Sequence, residues 1–419
     1  MSQSATAAAH ADSPRPAVLR LVAKTAALVD YRLAPGRRIE AVKLTLLLGF
    51  VCGFALSPRL WISTRHFPLL PVIPDLPHIP FPGGRMCFAV LLMLLTLAIL
   101  KAKARIYILS FLVLLGAYSL FDQTRWQPWI FQYFFLLAGV ACFSGKPGDI
   151  TGEQNALNIC RLILATTYIY SGLQKMNPRF ALVGFPRLLG TMSTHIPYLH
   201  IWGWVAAGVE ICIGLGLLTR RFRRLAVVGG VLMHLFILYT FGPLGLNWNS
   251  VIWPWNLVMI ALLLLLFWNS EVSAGEVLWR NRMVFQKAVL VLFAVLPFLS
   301  FFGWWDSDLS ASLYSANLPL ANVIVSPGVA AQLPAEIGRY VKTLPNGVHV
   351  LKIQDWSFGE LNVPPYARAS TYKEIGAEVC RYTHDSPDVV LLIQRKRTWL
   401  GGGQQERYTC LGTLGVLDR

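Results

Sequence analysis

The chain has 419 residues, 55% of them hydrophobic and only 14% charged, with 14 Trp and a formal net charge of +16. Its apolar residues fall in long runs rather than being scattered, which excludes an ordinary water-soluble domain and defines a polytopic α-helical membrane protein. The charge does not imply nucleic acid. From Asp306 onward, eleven Lys and Arg balance eleven Asp and Glu, so the whole surplus lies upstream, where membrane topology and contact with anionic lipid account for it.

Residues 1–40 form a basic N-terminal segment. It begins polar, then gives the partly amphipathic stretch Ala17 to Lys24, suited to lying on the cytoplasmic leaflet. No small-residue cleavage site follows the first apolar run, so that run reads as a retained signal anchor. A helical bundle then occupies 41–305. It has about nine predicted spans, at 41–59, 86–101, 104–120, 128–144, 157–174, 201–219, 224–242, 250–268 and 284–303. The loop from Ser57 to Arg85 holds seven prolines and is expected to be extended and exposed.

Four basic clusters fix the expected sidedness. They are Arg15 to Lys43, then Lys101, Lys103 and Arg105, then Arg220 to Arg224, then Arg280, Arg282 and Lys287. Nine spans put all four on one side, which places the N-terminus in the cytoplasm and everything after Trp305 outside, as in a multi-pass protein of a bacterial inner membrane. Cys52, Cys87, Cys142, Cys160 and Cys212 lie in apolar segments, where a small side chain packs. Cys380 and Cys410 are alone in the tail, and an oxidising compartment would join them as a disulfide. The tail, 306–419, reads as a small α+β extracytoplasmic domain. Strands are predicted at 348–353 and 389–393, a helix around Tyr372 to Cys380, and a hairpin turn at Asn346-Gly347. The segment from Asp355 to Pro365 reads as a surface loop.

Polar groups inside spans are costly and therefore point to function. Lys175 stands at the end of the fifth predicted span. Burial there would favour its neutral form and make it a general base, whereas a snorkelling lysine would merely anchor the helix. Glu210, His234 and Asn256 lie in the sixth, seventh and eighth spans, and a contact between Glu210 and His234 is expected, as a proton relay or a plain interhelical bond. Asp122, Arg125, Trp126, Gln174, Lys175, Asn177, Arg179, Trp248 and Asn249 are expected to gather at the outer boundary, with Asp122 and Arg125 as an interfacial ion pair. No metal signature is present, since His195 and His200 are five apart and Pro197 intervenes. A phosphate-binding loop and a serine nucleophile motif are likewise missing.

The segment Ser171-Gly172-Leu173-Gln174-Lys175-Met176-Asn177, with Gly184 beyond it, resembles the lysine-bearing segment of the vitamin K-dependent γ-carboxylase superfamily, including its bacterial HTTM-domain relatives. Asp122-Gln123-Thr124-Arg125-Trp126 is similar to that family's Asp-x-Thr-x-Trp segment, and Glu210, a basic turn and His234 keep its order over 105–270. The resemblance implies that Lys175 is the general base deprotonating a reduced quinone, menaquinol or vitamin K hydroquinone, on the extracytoplasmic side, with Glu210 and His234 beside it. Asp122, Arg125, Trp126, Trp129, Gln174, Asn177, Trp248, Asn249 and Asn256 would line the substrate. Trp129, which cannot exchange protons, stands where that family has a histidine, and the tail is short for binding a protein substrate. The resemblance therefore implies quinol or lipid-phase chemistry without glutamate carboxylation.

The chain also resembles DoxX-like and MauE-like membrane proteins, which show a glycine followed closely by a lysine at a helix end and an intramembrane acidic residue. This alternative implies a non-catalytic redox-partner or assembly subunit. Lys175, Glu210 and His234 around one cavity would favour a ligand site, and a lipid-facing Lys175 the accessory reading. A transporter is less favoured, because no inverted repeat is evident and Pro254 is the one helix interruption.

Overall fold

The computed structural model describes residues 35–419 apart from 74–75, 78, 102–103, 144–149, 280–283, 384–385, 411–416 and 419. The amphipathic stretch expected at 17–24 lies outside these residues. Among the described residues, each predicted span is helical: α1 Pro35–Leu56, α2 Gly83–Leu100, α3 Ala104–Ser119, α4 Pro128–Phe143, α5 Ile150–Lys175, α6 Leu199–Leu218, α7 Arg223–Phe241, α8 Ile252–Phe267 and α9 Val284–Phe302.

Six of these, α1, α2, α5, α6, α7 and α9, are long and apolar enough to cross a membrane. The other three are apolar but shorter. α3, α4 and α8 have 16 residues each, about 24 Å of helix against a hydrocarbon core of about 30 Å. Pro254 does not interrupt α8, because the helix begins at Ile252 and the proline falls in its first turn, where no intrahelical N–H is needed. α9 is irregular. Its middle, Val291–Val295, is a π turn just before Pro297, whose ring removes one backbone donor and crowds the preceding turn.

Small residues let α5 and α6 pack backbone to backbone. A Cβ on Gly172 would lie 2.7 Å from Ala207 O, and one on Gly214 would lie 2.8 Å from Ala165 O. Toward the opposite end of the bundle from Lys175, two buried arginines satisfy carbonyls. Arg161 Nε donates to Leu266 O at 2.8 Å, and Arg223 donates to Leu217 O, Ser270 O and Val272 O at 2.9, 2.5 and 2.6 Å.

The C-terminal domain is an antiparallel sheet of order β2-β3-β1-β4-β7-β8. Its strands are β1 Leu320–Val325, β2 Val341–Thr343, β3 His349–Lys352, β4 Val389–Gln394, β7 Gln405–Thr409 and β8 Leu417–Asp418, with β5 Arg397–Thr398 and β6 Gly401–Gly402 as a separate hairpin. In β1, Val323 pairs with Leu351 and with Leu391. The hairpin at Asn346-Gly347 is present, with Leu344 N donating to Val348 O at 2.8 Å and Gly347 at φ 78°. Helix α11, Ala369–Cys380, packs on β4 through Gly376, and the Cys380–Cys410 disulfide ties its end to the chain after β7.

Two loop expectations are corrected. Residues 355–361 belong to a helix, α10 Ile353–Leu361, because Ile353, Trp356, Ser357, Glu360 and Leu361 share a buried face. The proline-rich loop is also not fully exposed, since Leu60, Trp61, Phe67 and Leu70 are buried. The two segments meet each other. Glu360 accepts from His66 N, Phe67 N and Trp356 Nε1 at 2.6, 2.9 and 2.9 Å, and the Phe67 and Trp356 rings lie 5.0 Å apart. Glu360→Ala would orphan buried donors and is expected to cost about 3 kcal/mol. Faster protease release of the C-terminal domain from the membrane fraction would show it, and unchanged resistance would contradict it.

Candidate functional site

Helix α5 ends at Lys175 because Pro178 disfavours helix at Asn177. Asn177 then caps both sides of the break, donating to Gln174 O at 2.8 Å and accepting from Phe180 N at 2.9 Å. The Lys175 side chain points back along α5, as helical side chains do, to donate to Ser171 Oγ at 2.5 Å and Glu210 Oε2 at 2.7 Å. Its side chain is 14% exposed and that of Glu210 11%. The ammonium is thus turned into the bundle, and the snorkelling, lipid-facing arrangement is corrected. The close approach at Gly172 and Ala207 is what brings the two charges together.

His234 does not contact Glu210 directly. Its Nδ1 lies 2.7 Å from Asn256 Oδ1, and its Nε2 lies 2.5 Å from the Tyr168 hydroxyl. Asn256 Nδ2 donates to Ile252 O at 2.7 Å, so its oxygen faces the ring and Nδ1 carries the hydrogen. Nε2 is then left to accept from Tyr168. Beside this chain of hydrogen bonds, Trp255 Nε1 donates to Gln132 Oε1 at 2.7 Å, and Gln132 Nε2 donates to Thr167 Oγ1 at 3.3 Å.

These groups converge on one internal cavity of about 120 Å³. Lys175, Glu210, His234, Asn256 and Gln132 supply polar walls, while Phe131, Met233, Ile237, Met259 and Phe293 supply apolar ones. Its roof is Asp308 to Tyr314, the strap between α9 and β1, where Ala311 and Tyr314 adopt φ of 55° and 61°. Asn249 holds that strap by donating to the Tyr314 hydroxyl. Asp308 Oδ2 accepts from Ala367 N at 2.8 Å. Burial, then the neighbouring Asp306 carboxylate, push the Asp308 carboxyl up to about 7. Burial lowers the nearby Lys396 ammonium to about 8.

The other expected site residues do not form one boundary cluster. Asp122 accepts from Arg65 Nη2 at 2.5 Å, closer than the 3.8 Å to Arg125 Nε, and all three are buried rather than interfacial. Arg125 mainly serves carbonyls, donating to Tyr118 O at 2.6 Å and Leu60 O at 3.2 Å. Trp126 faces a second, larger cavity beneath the C-terminal domain. Trp129 packs with Phe50 and Tyr133 against Gly53, away from the first cavity's lining. Gln174 donates to Ser300 Oγ at 2.7 Å, and Trp248 packs on Phe358 at 4.4 Å. Tyr168, Gln132 and Ser171 are cavity residues the sequence reading did not single out. Gln132, like the buried Arg161, was visible as a polar residue inside an apolar run.

Fold and site together define a multi-pass helical membrane protein with a mainly apolar cavity in the bundle, an ion pair and a hydrogen-bonded histidine in its walls, and a sheet-containing domain over one end. Against known families, residues 156–243 match DoxX, a stretch that runs from within α5 into the turn after α7 and carries Lys175, Glu210 and His234. No curated protein and no solved structure matches the chain. The DoxX similarity supports the alternative drawn from the sequence, and no comparison supports the γ-carboxylase resemblance.

Proposed function

We propose that this chain is a DoxX-like membrane subunit whose bundle cavity takes a quinone-class ring, with the C-terminal domain on the extracytoplasmic side. The convergence of Lys175, Glu210 and His234 on one cavity carries the reading. Its volume is of the order that accommodates a single aromatic ring, and polar groups placed in apolar walls are what orient such a ligand. Lys175 donates to both Ser171 Oγ and Glu210 Oε2, so the Ser171 O–H remains to donate to a ligand carbonyl and Glu210 Oε1 to accept from a ligand hydroxyl. Glu210, not Lys175, is the proton acceptor in this arrangement, and Lys175 positions it. A bound quinone would supply two-electron chemistry; the chain's own residues bind, orient and exclude water. The Cys380–Cys410 disulfide supports the sidedness, since such bonds persist in oxidising compartments.

The test is binding of decylubiquinone and menadione to the full-length protein in nanodiscs, read by quenching of tryptophan fluorescence, Trp255 being in the cavity wall. Saturable quenching is expected, weakened at least about tenfold in Glu210→Gln, which corresponds to about 1.4 kcal/mol. Equal, non-saturable quenching in both proteins would sink the reading.

A further inference from the structure

The cavity contains a second acid that the ligand scheme above does not use. Asp308 is buried in the roof strap, lines the cavity, and has one backbone donor, Ala367 N, on its carboxylate. Ala367, Asp306 and Lys396 line the second cavity, of about 990 Å³, which lies on the far side of the same strap beneath the C-terminal domain. Leu309 and Phe131 face both cavities. Asp308 therefore stands in the partition between the bundle site and the larger, more open cavity beneath the C-terminal domain.

Resting on the proposed ligand site, we infer that Asp308 is the proton-exchanging group of the cavity, taking up a proton from the open side when the cavity fills and returning it when the cavity empties. The chemistry is a single transfer. A hydronium ion in the open cavity breaks one of its O–H bonds and leaves as water, the proton forms an O–H bond on one Asp308 carboxylate oxygen, and no electron changes hands. A ring seated against the carboxylate strips it of solvent, which favours the neutral acid. The acid is already poised near neutrality by burial and by Asp306, with Lys396 opposing them.

Asp306 and Lys396 act on this equilibrium in opposite directions, and other titratable groups surround it. Asp306 comes from the strap itself and accepts from Asp308 N at 2.9 Å. Lys396, after β4, donates to Ser307 Oγ at 3.1 Å and to Gln174 Oε1 at 3.5 Å. Tyr366 and Arg368 approach from the segment before α11, and Tyr372 from α11 itself. Lys175, Glu210, His234, Tyr168, Tyr170 and Tyr314 line the same cavity as Asp308. Tyr366 is raised by burial and by both aspartates, so it stays a neutral phenol near pH 7.

The sign follows directly. A group whose pKa rises on binding takes up a proton, so affinity falls as pH increases above about 7, by up to about tenfold per pH unit for one linked proton. Menadione, which has no ionisable hydroxyl, isolates the protein's contribution. Its binding to the full-length protein in nanodiscs is followed by calorimetry in buffers of different ionisation enthalpy, giving protons exchanged per ligand. Uptake in the native protein, its loss in Asp308→Asn with a pH-independent affinity, and its return in Asp308→Glu support the inference. Native binding without uptake, or uptake retained in Asp308→Asn, overturns it and leaves the ligand site standing. If menadione does not bind, the ligand reading has failed by itself, and infrared spectroscopy decides on Asp308. A protonated carboxyl band that titrates near pH 7 and vanishes in Asp308→Asn supports the proton-exchange role; no such band in the native protein overturns it.

Discussion

Removing one half of the Lys175 and Glu210 pair will cost the folded protein about 3 kcal/mol, and removing both halves together will cost much less. Each side chain is nearly buried, at 14% and 11% exposure, and they meet at 2.7 Å. Taking one away leaves the other charge facing an apolar cavity with no countercharge, whereas a matched apolar pair leaves nothing unsatisfied. Lys175→Met and Glu210→Leu should each lower the denaturation temperature in detergent strongly, and the double variant should recover most of the loss. If the double variant were as unstable as the sum of the singles, the two residues would not be coupled. Ligand binding should be lost in all three, so stability and function separate in the double variant alone.

Gly172→Val is expected to be comparably damaging, at about 3 kcal/mol, for a steric reason. The new Cβ would sit 2.7 Å from Ala207 O and 2.8 Å from Ile211 N, both backbone atoms of α6 that cannot move independently. α5 and α6 would have to separate, and the 2.7 Å contact from Lys175 to Glu210 would open with them. Gly208→Val is the control. It lies on α6 only one residue from Ala207, yet a Cβ there meets nothing within 4 Å, so its effect should stay within about 0.5 kcal/mol. Equal behaviour of the two variants in thermal denaturation would argue against close α5 and α6 packing.

The helices were legible because hydropathy reports directly on burial in lipid, and every apolar run became a helix, although α1 and α5 begin six and seven residues before their expected starts at 41 and 157. Crossing was less legible, since three of those helices are only 16 residues long. Lys175, Glu210, His234 and Asn256 could be singled out because charge and amide are expensive inside a span. Their pairing could not. Glu210 meets Lys175 and not His234, because Gly172 and Gly214 set how α5 and α6 approach, and a distance between helices is not written in the period of either one. Asp122 and Arg125 illustrate the same limit: their spacing suggested each other, while Arg65, 57 residues away, takes the carboxylate. The roof was the least visible part. Asp308 becomes a cavity residue only through Ala367, and Asp355 to Leu361 reads as a polar loop unless its buried face against Phe67 is known.

The roof strap also has a place in time. Asp308 follows the last apolar helix, and the backbone N–H that holds it belongs to Ala367, 59 residues later in the chain. At an elongation rate of about 5–20 residues per second, every helix that walls the cavity has been synthesised some 3–12 seconds before its roof can be latched. During that interval the pocket is a cup rather than a chamber. The cavity walls therefore exist before the latch on their roof, and the order of translation sets when the site first takes its finished shape.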